Sequence, residues 1–315
     1  MKPLEELMLT SRDCPCPICG DYGWCGYNSR LVICMRTPSN KPTKNGGWVH
    51  YKEARDSAYD YQLLQRKKRQ TSRKSDKELD VVYRRLLQLL PLSERHRLEL
   101  LKRGLTDESI AYYGYRTLPA GDRSNIVEAV REDFDVYGIP GFGLDEDKWV
   151  LAGSPGLLIP VYSPERRLVA FQIRPDRQQP KRKYVYLSSS WLECGSSPGV
   201  RIHLALPVAA LQNPIMIDWV TEGPLKADIA AQYLKARVWA VPGVSNWRGL
   251  LDYVPYLTKS VCLAFDNDKE FKTREIVRYH INQLACALSE RGLKVYSSFW
   301  RGAKGLDDAL VAGIT

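Results

Sequence analysis

From residue 213 onward the chain alternates apolar strands and helices with short loops, and that alternation restricts the fold more than any other feature. NPIMIDWVTEG reads as a buried strand ending at Glu222 and Gly223. Pro224 opens the helix PLKADIAAQYLKA, in the first-turn position that tolerates proline. RVWAVPG is a second strand, 246–257 a helix, and SVCLAFD a third strand. The helix TREIVRYHINQLACALSERG follows, with Thr273 as its expected cap and Gly292 as its stop. LKVYSSFW is the fourth strand, and GLDDALVAG turns into a last short helix. Alternation at this spacing implies an α/β fold, a parallel sheet with right-handed crossovers.

Such sheets place binding groups beyond the C-terminal ends of their strands. Acids fall there three times: Glu222 after the first strand, Asp266 and Asp268 after the third, and Asp307 and Asp308 after the fourth. One acidic turn is ordinary, since Asp and Asn are turn residues. Three on one edge repel one another unless a cation compensates them. Oxygen ligands of this kind suit Mg²⁺ or Mn²⁺, which also bind phosphates.

Upstream, 53–70 and 78–90 read as helices separated by the charged TSRKSD, and ELLKRGLTDESIAYYGYRTLP as a helical hairpin. Gly104 is the expected stop and Thr106 the expected N-cap of that hairpin. After the turn-rich IPGFGLDEDKW come three strands, GLLIPVY (156–162), RLVAFQIR (167–174) and KYVYLS (183–188). Arg166, Arg167, Arg174, Arg177, Lys181, Arg182 and Lys183 punctuate this meander. Cations at strand ends can grip a polynucleotide or triphosphate, and they also guard exposed strands against aggregation.

Five of the eight cysteines lie between 14 and 34. Cys16 and Cys19 form a C-P-x-C-G knuckle that can bind one tetrahedral Zn²⁺, with Cys25 and Cys34 completing the site. Cys14 is a fifth candidate. Four thiolates leave a metal no open position, so this is a structural zinc ribbon and not a catalytic centre. Trp24, Tyr27, Arg30, Arg36, Lys41, Lys44 and Trp48 surround it, a mixture that suits single-stranded nucleic acid and that an ordinary ribbon surface also carries.

The net charge of +10 favours phosphate-rich partners. It is concentrated: residues 61–103 hold 13 Lys and Arg against 5 Asp and Glu, including RKKR at 66–69, as a solvated linker also would. No apolar run approaches the ~20 residues of a bilayer span, and MKPLEELMLTSRD lacks a signal-peptide core, so a soluble, cytoplasmic protein without membrane partners is expected. No G-x-x-x-x-G-K-[ST] loop is present, which excludes a P-loop ATPase within these residues.

The E-G at Glu222–Gly223 and the D-x-D at Asp266 and Asp268 resemble the TOPRIM module of bacterial-type (DnaG-like) primases, topoisomerases and certain nucleases. The primase branch fits best. GLLIPVYSPERRLVAFQIRPDRQQPKRKYVYLSS is similar to the basic subdomain that precedes TOPRIM in those primases, with Arg174 and Lys183 matching its Arg and Lys. KRGLTDESIAYYGY resembles the helical lead-in to it, and AKGLDDAL resembles a late G-K-D-P-D motif, with Lys304 and Asp307 in register. The style is closest to primase-like proteins of phages and plasmids. The resemblance implies a zinc ribbon (1–52), a helical basic linker (53–92), a basic α+β subdomain (93–208) and a TOPRIM catalytic subdomain with a Rossmann-like parallel sheet (209–315). This sequence departs from the family at Lys226, where the primases carry an acid four residues after their Glu and the nearest acid is Asp228. Gly305 stands for another acid, with Asp308 as its substitute, and DNDKEF replaces the usual continuation of D-x-D.

The function so implied is synthesis of short RNA primers on single-stranded DNA. Glu222, Asp266, Asp268, Asp307 and Asp308 are the expected catalytic acids, holding Mg²⁺ or Mn²⁺. Arg166, Arg174, Arg177, Lys183, Lys226 and Lys304 are expected to bind nucleotide or nucleic-acid phosphates. Partners would be the DNA template, nucleoside triphosphates, the RNA primer, and a replicative helicase or other replication protein. A TOPRIM nuclease and a non-catalytic nucleic-acid-binding component of a replication or mobile-element complex are the alternatives.

Overall fold

Four short strands and a cysteine-bearing loop make up what is described of the N-terminal part of the chain. The structure is a computed structural model that describes residues 7–12, 14–28, 31–43, 46–52, 71–177, 183–208, 215–267 and 270–314. It divides into two units, residues 1–70 and 71–315. In the first, β1 (Met8–Leu9), β2 (Gly26–Tyr27), β3 (Leu31–Cys34) and β4 (Trp48–Tyr51) form an antiparallel sheet in sequence order. Its buried centre is Cys16, Cys25, Val32 and Cys34. That core is too small to hold a fold by apolar burial alone, which is the usual reason for a structural metal. The helix expected over 53–70, with its RKKR run, lies outside the described residues.

The second unit begins with α1 (Asp76–Leu89), α2 (Glu94–Lys102) and α3 (Asp107–Tyr113). Ser75 caps α1 in a capping box with Glu78, and Thr106 caps α3 as expected. Leu79, Val82, Tyr83 and Leu86 of α1 are buried in the largest apolar cluster, so this helix is a core element and not part of a linker. Next come β5 (Arg116–Leu118), α4 (Ser124–Asp133), β6 (Phe142–Asp145) and β7 (Lys148–Leu151). The last two form a hairpin where turns alone were expected. Its turn is Glu146 (φ 46°) and Asp147 (φ 63°), left-handed at both positions, as the twist of a two-residue hairpin requires.

β8 (Gly156–Tyr162), β9 (Leu168–Pro175) and β10 (Val185–Tyr186) are the expected meander, and β5 pairs with β8 to give the order β10-β9-β8-β5. Every residue of β8 is buried. Leu158 and Tyr162 face the cluster that contains α1, while Leu157 and Ile159 join a second cluster with Leu225 and Ile229. Coverage on both faces is why the strand shows no polar alternation.

The remainder is a five-stranded sheet in the order β11 (His203–Ala205), β13 (Val238–Val241), β12 (Asp218–Glu222), β14 (Ser260–Leu263) and β15 (Lys294–Ser297). The four strands read from sequence are parallel, and β11 is an added antiparallel edge. Helices α5 (Pro224–Leu234) and α7 (Leu306–Val311) share one apolar cluster, which includes Ala227, Ala231 and Ala309. The helix α6 (Phe271–Ser289) and a 3₁₀ segment, Val244–Tyr256, share another, around Leu250 and Leu284. The sheet is thus covered on both sides. α6 starts at Phe271 with Glu270 at its N-cap, so Thr273 lies inside the first turn and does not cap it. Among the described residues no helix is long and apolar enough to cross a membrane.

Candidate active site

The strand order changes direction at β12, and the chain leaves the C-terminal ends of β12 and β14 toward the same edge. Glu222 is the last residue of β12, and Asp266 follows β14 by three residues. Asn267 N–H donates to the carbonyl of Lys304 (2.8 Å), tying the segment after β14 to the one before α7. Asp307 and Asp308 lie in the first turn of α7. Asp266, Asp307 and Asp308 line one cavity of about 590 Å³. Glu222 lines a second, of about 250 Å³, and Lys183, Lys226, Asp266 and Lys304 are common to both. Asp268 lies outside the described residues.

Close approach at Gly305 brings two of the acids together. A Cβ there would stand 2.6 Å from Asp307 Oδ1 and 3.0 Å from Asp266 Oδ1, so both carboxylates face the backbone where only glycine leaves room. A side chain at this position would collide with them. Asp307 is buried, and its Oδ1 has no hydrogen-bond partner. Its Oδ2 accepts from Arg103 Nη2 at 2.6 Å, and Arg103 Nη1 donates to the Tyr184 hydroxyl at 3.1 Å. Burial opposes the charge of Arg103, but Tyr184 and Asp307 outweigh it and hold the guanidinium above its ordinary pKa.

Arg103 reaches Asp307 because the α2–α3 turn packs tightly on α5 and α7. Gly104 (φ 96°) makes that turn, and a Cβ on it would lie 2.5 Å from Val311 Cγ2 and 2.9 Å from the Tyr233 hydroxyl. Gln232 clips the turn on both sides, donating to the Gly104 carbonyl (2.7 Å) and accepting from Thr106 N–H (3.0 Å). Sequence reasoning found Gly104 as a helix stop but missed Arg103 and Tyr184, which only tertiary packing delivers.

The other acid is held by lysines. Lys226 Nζ is hydrogen-bonded to Asp266 Oδ1, and Lys304 Nζ lies 3.7 Å from Asp266 Oδ2. The larger cavity is lined by six cationic side chains against four carboxylates. Arg174, at the end of β9, is paired with Glu99 of α2 on its wall. Lys183 and Lys102 line it without a carboxylate in ion-pair range among the described residues. Cations outnumber acids here, and Glu99, Asp266 and Asp307 each already have a cationic partner.

Two predicted phosphate ligands are elsewhere. Arg166 sits in the turn between β8 and β9, stacked on Tyr162 (4.9 Å) and Tyr112 (5.2 Å), with Nη2 on the Tyr112 hydroxyl (3.0 Å). That is the end of the hairpin opposite Arg174, roughly 20 Å away along the strands. Arg177 is exposed and lines neither cavity. Asp228, the acid nearest to the missing one in sequence, is fully buried. It accepts from His203 Nε2–H (3.0 Å) and from the Tyr115 hydroxyl, while Tyr162 N–H donates to His203 Nδ1 (3.0 Å). Burial, then the carboxylate beside it, push the Tyr115 pKa far up, so its proton stays in this bond. Residues two apart on a helix point about 200° apart, so Lys226 facing the cavity sends Asp228 to the core.

In the first unit the four cysteines expected to hold a metal come together. The sulfurs of Cys16, Cys19, Cys25 and Cys34 all lie within 4.8 Å of one another. Cys19 and Cys25 are 3.7 Å apart, close to the ~3.8 Å edge of a tetrahedron with Zn–S bonds of ~2.3 Å. Backbone N–H groups aim at the sulfurs: Met35 at Cys25 (3.4 Å) and Thr37 at Cys34 (3.3 Å). Burial raises the Cys16 thiol to about 12, whereas at Cys34 the amides of Arg36 and Thr37 overcome burial and lower it to about 7. Cys14 is outside the cluster, exposed, with its sulfur 2.8 Å from the Tyr27 hydroxyl. Arg36 is engaged with Asp21 (3.0 Å) and with the sulfurs of Cys19 and Cys25 (3.9 Å each). Trp24 stands 74% exposed. Arg30 and Lys44 lie outside the described residues.

With this geometry in hand, the chain can be set beside known proteins. A family model for a domain of unknown function (DUF3854) matches residues 208–314, the parallel-sheet part. Among curated proteins none matches the sequence. The fold is similar to the zinc-binding and RNA polymerase domains of Aquifex aeolicus primase (TM-score 0.59, 13% identity, 93% of this chain and 81% of that one). It is similar also to a DNA primase domain from Pseudomonas aeruginosa (0.55, 17%, 75% of each chain). A third similar structure is a DnaG primase catalytic domain bound to single-stranded DNA (0.52, 17%, 76% and 79%). The mixed α/β fold is therefore that of bacterial primase domains, and at these identities the likeness is one of fold.

Proposed function

We propose that the chain is a DNA primase of the TOPRIM type, making short RNA primers on single-stranded DNA, of the kind carried by phages and plasmids. The observation that carries this reading is the meeting of Asp266 and Asp307 around Gly305, inside a cavity rich in Lys and Arg, at the C-terminal edge of a parallel sheet. A primase fold and a four-cysteine site in the same chain support it.

The residues present fit a divalent cation, Mg²⁺ or Mn²⁺. The buried and unpartnered Asp307 Oδ1 faces the same space as Asp266 Oδ1, with Glu222 on the adjoining wall. Asp266, Asp307 and Glu222, with Asp268 and Asp308, would hold it. When bound there, the ion supplies charge stabilisation at the α-phosphate and at the primer 3′-oxygen. Arg103 fixes the Asp307 carboxylate by holding its Oδ2. Arg174, Lys183 and Lys304 receive the phosphates of the incoming nucleotide or the template. The zinc ribbon, with Trp24 exposed, binds the template strand by stacking. The reading makes a replicative helicase or another replication protein a natural partner, and a cytoplasmic location the expected one.

The test is dinucleotide synthesis on single-stranded templates with each metal. Asp266→Asn with Asp268→Asn is expected to abolish synthesis and to leave DNA binding intact. Unchanged synthesis in that variant overturns the site. The hold of Lys226 on Asp266 favours, as a second reading, a non-catalytic nucleic-acid-binding role. Metal-independent DNA binding without synthesis under any nucleotide condition would select it, and metal-dependent cutting of labelled DNA without nucleotides would select a nuclease.

A further inference from the structure

Of the two lysines that reach Asp266 and line both cavities, Lys226 is the one hydrogen-bonded to that acid, which is expected to hold metal. It projects from the first turn of α5, the helix that follows Glu222 and Gly223 directly. Its side chain is 23% exposed and that of Asp266 10%, so the pair is screened from water while the ammonium still borders open volume. Lys304 stands on the other oxygen of the same carboxylate. Asp266 is therefore charge-compensated by the protein itself, as Asp307 is by Arg103. A cavity built in this way already has the positive excess that a triphosphate requires.

We propose that Lys226 is a built-in cation that replaces a divalent ion in nucleotide binding, so that the cavity binds a nucleoside triphosphate without Mg²⁺ or Mn²⁺. The inference rests on the nucleotidyl-transfer reading of this cavity and adds a division of labour to it. The ammonium neutralises Asp266 in the free protein and contacts the phosphates when nucleotide arrives. Phosphate oxygens and Asp266 then share the charge of Lys226, with Lys304 and Lys183 beside it. Divalent metal is left to the chemical step. Removal of Lys226 leaves Asp266 with only the longer contact to Lys304 beside the phosphates, and a metal ion becomes necessary to bind them.

The experiment measures ATP and inorganic tripolyphosphate binding to the full chain by calorimetry. The buffer is cleared of divalent ions on a resin, without a soluble chelator, so that the cysteine-bound metal is kept, and Mg²⁺ is then titrated in. Wild-type protein is expected to bind equally with and without Mg²⁺. Lys226→Ala is expected to bind about tenfold more weakly without Mg²⁺, the scale of one charge-assisted contact, and to recover when Mg²⁺ is added. Lys226→Arg keeps the charge and is expected to keep metal-free binding, which separates the charge from any folding defect. Wild-type binding that requires Mg²⁺, or Lys226→Ala binding as tightly as wild type without it, overturns the inference and leaves the nucleotide cavity standing. Absence of binding in every condition overturns the nucleotidyl-transfer reading as well.

Discussion

Arg103 Nη2 lies 2.6 Å from Asp307 Oδ2, joining the end of a helix early in the second unit to an acid 204 residues later. The Asp307 side chain is only 3% exposed and that of Arg103 21%. Removing the cation leaves a buried carboxylate with both oxygens unpartnered. Arg103→Ala should cost roughly 2–4 kcal/mol in urea denaturation, at the lower part of the range for broken buried pairs because Arg103 meets some solvent. Adding Asp307→Asn should restore most of that loss. An unchanged midpoint for Arg103→Ala would show that the pair carries no weight.

The His203–Asp228–Tyr115 network gives a second expectation. It ties β11, α5 and the start of β5 into one core beside the cavity, with no side chain reaching the solvent. Tyr115→Phe removes one donor from a buried carboxylate and should cost about 1–3 kcal/mol. His203→Ala should cost at least as much, since it also orphans the Tyr162 amide. Both variants should retain the nucleotide affinity of wild type at temperatures where they are folded. A loss of affinity without a loss of stability would place the network in the site itself.

Arg174 and Arg166 belong to the same meander but to opposite ends of it. Arg174→Ala should lower synthesis by ~10-fold or more, the loss of one charge-assisted contact of ~1.4 kcal/mol. Arg166→Ala should leave synthesis unchanged and lower stability, because its guanidinium is spent on Tyr112 and Tyr162. Equal effects on primer yield would contradict the placement of the phosphates at the Arg174 end.

Metal analysis should find a single zinc per chain, retained in Cys14→Ser and lost in Cys34→Ser. Thiol protons compete with the metal, so zinc affinity should rise with pH. Most of the displaced protons come from thiols such as Cys16, held at about 12 by burial, and fewer from Cys34, at about 7. Zinc retention in Cys34→Ser would move the site toward Cys14.

The parallel sheet was legible because its strands are covered on both faces and separated by helices long enough to cross over. The positions of Glu222 and Asp266 were legible for the same reason, since the C-terminal end of a strand is fixed once the strand is found. Asp307, by contrast, sits beyond β15 in the first turn of α7. β11 escaped notice because three residues among prolines and glycines carry no period. The β6–β7 hairpin escaped because Glu146 and Asp147 take left-handed backbone without the usual Asn-Gly signal. Arg166 and Arg174 look alike in sequence, and only the pairing of β8 with β9 shows that they are a strand's length apart. Lys226 stood out as a departure from the primase motif that the sequence resembles, but its hold on Asp266 depends on packing that no local pattern encodes.

The apolar side of α5 has a consequence for anyone who cuts the gene. Leu225 and Ile229 press against Leu157 and Ile159 of β8, so the helix beside the cavity completes the core of the antiparallel sheet. The stretch 208–314, matched on its own as a domain, begins after β11 and after His203. Expressed alone it would bare that helix face and a sheet edge, and leave Asp228 without either side-chain donor. It should be insoluble, while a fragment beginning near Thr71 should fold.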